Sequence, residues 1–219
     1  MRTNCRASRT FSSNMLIDNN MKIALIPMAA KPYHAGHDGL VRLAANECDV
    51  VKVFVSTGDR KRPGEIPILG KDMLKIWTTY LEPSLPNNVE VQYVSVPVSA
   101  IYKELEEAEA NGSLDTFIIY SDVEDILKYK DSSLQKSARE IYNDNRIERR
   151  GVERSETVDI SGTEMRQLLQ TGNIKKFVSL LPTAVRQHGR QIYDILKADK
   201  IKENLIREFV EFYVRQIKL

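Results

Sequence analysis

Two histidines, His34 and His37, lie three positions apart with Gly36 between them, after an apolar run and before a helical pattern. Gly36 would let the backbone approach a ligand closely at this strand-to-helix turn. The unpaired N–H groups and the dipole of a helix start favour a negatively charged ligand. Both imidazoles could face one group, and Lys31 adds a positive charge nearby. The spacing therefore predicts a phosphate-binding turn.

A second candidate segment runs from Ile160 to Arg166, with the sequence Ile-Ser-Gly-Thr-Glu-Met-Arg, at the start of a predicted helix. Ser161 or Thr163 could cap that helix, and capping alone would be an ordinary structural role. Arg166 projects from the first turn beside free N–H groups, and its planar guanidinium suits phosphate oxygens. Together with the histidine turn, this segment is predicted to bind the terminal phosphates of a nucleoside triphosphate.

Two other kinds of phosphate or metal chemistry fit less well. Paired histidines could share a metal ion, but structural zinc needs four nitrogen or sulfur ligands and the sequence has no cluster to complete them. The stretch from Gly64 to Asp72 has five residues between its glycines, where a P-loop has four. Asp72 also stands where a P-loop carries Ser or Thr. We expect no metal site built from protein side chains.

The elements that must position these residues follow an alternating pattern. Apolar runs predict strands at 22–28, 50–55, 89–96, 115–120 and 146–152. Helical patterns lie at 36–46, 71–80 and 100–110, short helices at 121–140, and further helices at 162–171, 173–180, 183–198 and 201–217. Alternation of this kind predicts an α/β fold, a Rossmann-like doubly wound parallel sheet of about five strands with a C-terminal helical extension. Ligands bind beyond the carboxyl ends of such strands, where the strand order reverses.

Composition narrows the class of protein further. The 219 residues suit a single soluble domain, and 32 basic against 30 acidic side chains give a net charge of +2. This balance gives no reason to expect a nucleic-acid partner. No apolar run reaches the length of a membrane span. Two cysteines, Cys5 and Cys48, form no disulfide framework, so we expect a reducing, cytoplasmic location.

We divide the chain into three parts. Residues 1–20 are predicted to be a disordered extension, although three arginines and the lack of acids before Asp18 are also typical of a transit peptide. Residues 21–180 are the predicted catalytic domain, and 181–219 a helical segment packed on it. That segment carries an apolar stripe that predicts packing on the core or, alternatively, a homo-oligomer contact: Ile192, Leu196, Leu205, Phe209, Phe212 and Ile217.

The histidine turn resembles the signature of the nucleotidylyltransferase superfamily, in which His or Thr, any residue, Gly and His follow the first strand. Class I aminoacyl-tRNA synthetases share a version of this turn. The segment from Ile160 resembles the superfamily's second signature, Ile-Ser-Ser-Thr-x-x-Arg, with Gly162 in place of the second serine. The resemblance covers about residues 21–180. It implies a cytidylyltransferase-like or adenylyltransferase-type enzyme, and many phage-encoded members are similar.

The resemblance also implies roles for particular residues. His34 and His37 would contact the α- and β-phosphates, with His37 the main contact to the transition state, and Arg166 would hold the leaving pyrophosphate. These three are the predicted catalytic residues. The predicted nucleotide-binding residues are Met28, Ala29, Lys31, Gly36, Asp122, Ile160, Ser161, Gly162 and Thr163. Magnesium would bridge phosphate oxygens.

The second substrate is expected to be a phosphorylated small molecule. Phosphopantetheine and nicotinamide-mononucleotide adenylyltransferases place a cation in the loop after the second strand. Arg60 and Lys61 occupy that loop here, and Lys71 follows it, so these three are predicted to meet the acceptor's phosphate. The alternative is a solvated charge cluster.

The nucleotide is less sharply defined. Cytidylyltransferases carry an Arg-Thr-x-Gly-Ile-Ser-Thr-Thr type segment, and this chain has residues 156–159, Glu-Thr-Val-Asp, before Ile160. ATP sulfurylase has a similar Ile-Ser-Gly-Thr run, so ATP is favoured over CTP. The alternatives are a CTP-dependent cytidylyltransferase and a non-catalytic nucleotide- or tRNA-binding relative of the class I synthetases. A class I synthetase would be expected to carry a Lys-Met-Ser-Lys-Ser type loop, which the sequence lacks.

Overall fold

A computed structural model describes residues 20–198 of the chain, without the side chain of Arg154. Residues 1–19, most of the predicted N-terminal extension, and the helix predicted over 201–217 lie outside the described residues.

Five parallel strands form one sheet in the order β3-β2-β1-β4-β5. Their bounds are Lys22–Met28 (β1), Val50–Ser56 (β2), Val89–Val94 (β3), Thr116–Asp122 (β4) and Ile147–Val152 (β5). The predicted Rossmann-like α/β architecture is confirmed. β3 ends two residues earlier than predicted, and β4 continues two residues further.

Seven α-helices connect or cover these strands between residues 35 and 179. They are Ala35–Glu47 (α1), Gly70–Ile76 (α2), Pro97–Ala110 (α3), Asp131–Ser137 (α4), Arg139–Asn143 (α5), Gly162–Thr171 (α6) and Ile174–Ser179 (α7). Short 3-10 turns lie at Glu82–Ser84, Asp125–Lys128, Arg154–Glu156 and Thr183–His188, and residues 189–198 are helical.

Three helix predictions need correction. The helix predicted over 71–80 changes to π geometry at Trp77–Leu81. α3 begins at Pro97 and not at residue 100, because proline suits the first helical turn, where its missing N–H is not needed. The helix predicted over 183–198 starts as a 3-10 turn up to His188.

The sheet has a packed apolar layer on each face, as a doubly wound fold requires. Alternate residues of β1 divide between the layers: Ala24 and Ile26 belong to one cluster, with α1 and α6, and Leu25 to the other, with α3, α4 and α5. Ile192 and Leu196, from the C-terminal apolar stripe, are buried in the first cluster. The other four members of the stripe lie outside the described residues.

The sheet separates into two halves at its carboxyl end. β1 pairs with β4 only as far as Leu25, opposite Ile119. Beyond that point β1 continues beside β2 to Met28, while β4 continues beside β5 to Asp122. Pro27 has no N–H to donate to a ladder. The strand order reverses between β1 and β4, so the separation opens a cleft where such folds bind ligands.

Gly70, the first residue of α2, lies against the loop that follows β2. A Cβ built on Gly70 would lie 1.7 Å from the carbonyl oxygen of Thr57. We expect Gly70→Ala to lower the free energy of unfolding by about 2–3 kcal/mol, because backbone must move to admit the methyl group. Gly58→Ala is the matched control, since its Cβ would meet only the Ser56 Oγ, at 3.7 Å. Urea unfolding of both variants tests this, and equal stabilities would contradict it.

Candidate functional site

The histidine turn begins α1, with His34 as the N-cap and His37 in the first turn. The two imidazole rings stack with centroids 3.8 Å apart and an interplanar angle of 26°. His34 is buried and His37 half-buried. Burial, and secondarily the charge of His34, lowers the pKa of His37 well below its usual value. His37 is therefore a neutral imidazole at physiological pH, able to donate one hydrogen bond and accept another.

Neighbouring side chains fix the orientation of His37. Tyr33 stacks on the His37 ring with centroids 5.5 Å apart and meets Trp77 edge to face. The Tyr33 hydroxyl donates to Asp38 at 3.4 Å, and Asp38 also accepts from Arg42 at 2.7 Å. The ring is thus held by buried packing, whereas its Nδ1 has no hydrogen-bond partner among the described residues.

The lowered pKa of His37 makes the folded state sensitive to acid. The unfolded chain takes up a proton here as the pH falls through the ordinary value of 6.5, and the folded chain does so only at lower pH. Stability should therefore fall as the pH is lowered from about 7.5 to about 5.5. We expect His37→Asn to lose less in melting temperature over this range than the unsubstituted protein. Thermal melts at several pH values measure this. An equal fall in melting temperature with pH for both proteins would contradict the lowered pKa of His37.

Gly36 meets the loop before the second segment. A Cβ at Gly36 would lie 2.8 Å from the carbonyl oxygen of Val158, and one at Gly39 would lie 2.9 Å from the Thr157 Cβ. The start of α1 thus packs directly on this loop. Thr157 and Val158 were not predicted as site residues, because no motif marks a contact between this loop and a helix so distant in sequence.

The second segment caps and begins α6. The Ser161 Oγ accepts from the backbone N–H of Glu164 at 3.0 Å. Arg166 is only 5% exposed, and its Nη1 donates to the carbonyl of Lys31 at 2.9 Å. Its Nη2 donates to the Thr163 hydroxyl at 2.8 Å. Arg166 therefore ties the second signature to the loop that carries the first.

Glu65 is a polar residue of this region that was not predicted from the sequence. Its Oε2 lies 2.8 Å from the Arg166 Nε, and it also accepts from the Arg60 Nε at 3.2 Å. Hydrogen bonds from Arg60 and then Arg166 lower the pKa of Glu65, so its carboxylate is ionised. In the sequence Glu65 stands inside the failed P-loop pattern, which gives no sign of this contact.

Two adjoining pockets meet at the histidine turn. The first, the β1–β4 pocket, lies in the cleft between these strands. Its lining includes the predicted residues Met28, Ala29, His34, Gly36, His37, Asp122, Ile160, Ser161 and Gly162. It also includes Asp125, Thr157 and Val158, which were not predicted as site residues. Apolar side chains and backbone form much of this wall, as suits a flat, uncharged ring system.

The second, the cationic pocket, lies between the β2 loop and α6. Five cations line it: Lys31, Arg60, Lys61, Arg62 and Arg166. The other polar side chains of its lining are His37, Ser56, Asp59 and Thr163. Asp59 accepts from the Gly70 N–H at 2.8 Å and pairs with Lys61 at 3.0 Å. The excess of positive charge over this one carboxylate suits a multiply charged anion.

The two pockets share the wall formed by Ala29, Ala30, His37 and Gly162. Lys31 is buried beside this wall, where its Nζ donates to the Ser56 Oγ at 3.2 Å and to the carbonyl of Gly58. Burial lowers the pKa of Lys31. A ligand spanning both pockets would pass His37.

Of the fifteen predicted site residues, only Lys71 lies apart from both pockets. It is exposed on α2, while Arg60 and Lys61 line the cationic pocket as described. In residues 20–198 the structure shows no group of three or more His, Cys, Asp or Glu side chains that could hold a metal ion. Over the same range, no helix combines the length and apolar character needed to cross a bilayer.

Part of this site lies in a segment that is similar to a known protein family. Residues 23–66, which include the histidine turn and Glu65, match the family model of the citrate lyase ligase C-terminal domain. No curated protein sequence matches the chain. Among solved structures, the chain is similar to Thermotoga maritima TmcAL bound with alpha-thio ATP, with 11% identity and a TM-score of 0.44. That alignment covers 83% of this chain and 56% of the TmcAL chain, so this protein spans little more than half of its length.

Proposed function

We propose that the protein is a nucleotidyltransferase that transfers a nucleoside monophosphate, AMP in preference, from a nucleoside triphosphate to a phosphorylated small molecule. Pyrophosphate is the second product. The observation that carries this proposal is the hydrogen bond from Arg166 to the carbonyl of Lys31. This bond joins segments 135 positions apart, so that both candidate phosphate-binding segments face one cleft. The similarity of residues 23–66 to a domain of a ligase supports an enzymatic role.

The two pockets suggest how the substrates lie. The nucleoside occupies the β1–β4 pocket, with Asp122 at its edge, and the triphosphate passes His37 into the cationic pocket. Arg166, Ser161 and Thr163 hold the β- and γ-phosphates. Arg60 and Lys61 face the phosphate of the acceptor, for which nicotinamide mononucleotide and phosphopantetheine-like molecules are the favoured classes.

The reaction needs alignment and charge stabilisation more than proton transfer. An oxygen of the acceptor's phosphate forms a bond to the α-phosphorus, and the bond from that phosphorus to the oxygen bridging the α- and β-phosphates breaks. The attacking group is already an anion, so no general base is required. His37, held by Tyr33, donates from a fixed direction to a non-bridging oxygen on which charge grows.

Magnesium fits this site as an ion that enters with the nucleotide. Mg²⁺ prefers oxygen ligands and often binds through substrate phosphates with few protein carboxylates. The described residues offer no carboxylate cluster for it, so the triphosphate oxygens would hold the ion. When bound, it would supply further neutralisation of phosphate charge.

The test is an assay of pyrophosphate release. The protein is incubated with magnesium, each nucleoside triphosphate in turn, and a panel of phosphorylated metabolites that includes both favoured acceptor classes. Release with ATP is expected. Release with CTP alone would identify a cytidylyltransferase. A rise in melting temperature with ATP but no release above a His37→Ala variant would indicate a non-catalytic nucleotide-binding protein and overturn the proposal.

A further inference from the structure

Glu65 contacts two of the five cations that line the cationic pocket. Its carboxylate lies 2.8 Å from the Nε of Arg166 and 3.4 Å from its Nη2. The same carboxylate accepts from Arg60 through Nε at 3.2 Å and Nη2 at 3.5 Å. Glu65 thus joins an arginine of the second signature to an arginine of the loop after β2.

The position of Glu65 is fixed by the hairpin that carries it. Arg60 and Ile68 form an antiparallel bridge, with N–H···O distances of 2.8 and 3.0 Å, which closes the loop at its base. Gly64 turns the chain with φ of +77°, a conformation that glycine adopts freely. Ile66 and Ile68 are each 1% exposed and anchor the hairpin in the core. The carboxylate is therefore directed to the arginines by a structured segment.

The Glu65 carboxylate accepts a hydrogen bond from the Arg166 Nη2, whereas the buried Arg166 Nε, 2.8 Å from Glu65, has no hydrogen-bond partner of good geometry within residues 20–198. Glu65 therefore leaves a donor of Arg166 that a phosphate could use. The planar guanidinium of Arg166 binds carboxylate and phosphate oxygens with the same fork geometry. Glu65 and Arg60 retain about a quarter of their side-chain exposure, whereas Arg166 is almost fully enclosed. Glu65 is thus more exposed than the arginine it contacts, and it lies outside the lining of the cationic pocket to which Arg166 and Arg60 contribute. Its side chain therefore has solvent to move into when an anion binds these arginines.

We propose that Glu65 is an internal counterion, which the β- and γ-phosphates of the nucleotide displace from Arg166. Its displacement also ends its pairing with Arg60, so that Arg60 becomes available to the phosphate of the acceptor. This inference rests on the proposed function, since it names the residue that links binding of the first substrate to readiness for the second. Glu65 is accordingly a positioning residue and takes no part in bond making.

Binding of inorganic pyrophosphate, measured by calorimetry, tests this. We expect Glu65→Gln to bind pyrophosphate at least about fivefold more tightly than the unsubstituted protein, because no charged competitor has to leave. Glu107→Gln is the matched control. It makes the same charge change on α3, away from both pockets, where the exposed Glu107 pairs with Lys103 at 3.3 Å. We expect its affinity to stay within about twofold of the unsubstituted protein, as for a solvated ion pair.

A second measurement distinguishes displacement of Glu65 by the anion from a role in which Glu65 only holds Arg166 in position. In NMR spectra of the arginine Nε–H groups, pyrophosphate should shift the Arg60 and Arg166 signals of the unsubstituted protein. In Glu65→Gln the Arg60 response should be much smaller, since its partner is already absent. Equal or weaker pyrophosphate binding by Glu65→Gln, or no binding by either protein, would overturn the inference. Tighter binding without nucleotidyl transfer to any acceptor would count against the proposed function alone.

Discussion

Replacement of His37 by alanine is expected to lower kcat/KM for nucleotidyl transfer by about 10²- to 10³-fold, the usual cost of one preorganised transition-state donor. His37 forms part of the wall shared by the two pockets, so a ligand that spans them must pass it. Its ring is held by Tyr33 and stacked on His34, and its lowered pKa keeps it neutral. Most of the loss should fall on kcat, because charge on the phosphoryl oxygens grows only in the transition state.

The matched control is His188→Ala. His188 lies in the 3-10 turn Thr183–His188 and packs on Tyr80, with ring centroids 5.0 Å apart. It lines neither pocket. Steady-state kinetics of both variants, with thermal melts to confirm folding, measure the effect. A His37→Ala variant that retained activity within threefold of His188→Ala would remove this residue from the mechanism.

Arg166→Lys is expected to lower kcat/KM for the nucleoside triphosphate by about 10²-fold, although the positive charge is retained. Lysine provides no planar fork, so it could not hold the Lys31 carbonyl and the Thr163 hydroxyl while also binding phosphate. Loss of the link to Lys31 would also loosen the connection between the two signatures. The loss should appear in KM as well as in kcat, since in the proposed mechanism Arg166 would bind the β- and γ-phosphates in the ground state too.

Arg190→Lys serves as the control for this substitution. Arg190 is exposed in the helical residues 189–198 and pairs with Asp194 at 2.9 Å, a contact of small energetic value. Kinetics with varied ATP and a saturating acceptor measure both variants. Equal kcat/KM for Arg166→Lys and the unsubstituted protein, with both folded, would show that the fork geometry at position 166 is not needed.

The fold could be predicted from sequence because its signals are local. Buried parallel strands such as Val50–Ser56 form continuous apolar runs, and helices alternate with them at short intervals. The predicted helix bounds were wrong where a local sequence pattern is compatible with two kinds of structure. Pro97 ends a strand pattern but also starts α3, and the periodicity after Gly70 continues through Trp77, where the backbone changes to π geometry. A π segment of five residues is too short for its apolar spacing to be distinguished from that of an α-helix in the sequence.

The site was predictable to the extent that it consists of helix starts. Ser161 is an N-cap whose side chain accepts from Glu164, and a capping serine before apolar periodicity is visible in a sequence. His34 makes no side-chain cap hydrogen bond and was predicted from its spacing to Gly36 and His37. Glu65 and Val158 were missed for the opposite reason. Each lies in a loop that contacts a helix far away in sequence: Glu65 contacts Arg166 of α6, and Val158 contacts Gly36 of α1. A charged side chain in a polar loop gives no indication of which distant cation it meets.

The separation of β1 from β4 has a mechanical consequence. Beyond Leu25 and Ile119 no pairing joins the two halves of the sheet, so Met28 and Asp122 stand on opposite sides of a cleft. A ligand seated there bridges the halves in place of the missing strand ladder. A bound ligand would therefore restrict the motion of one half of the sheet relative to the other. Release of the ligand would restore that motion and allow the cleft to widen.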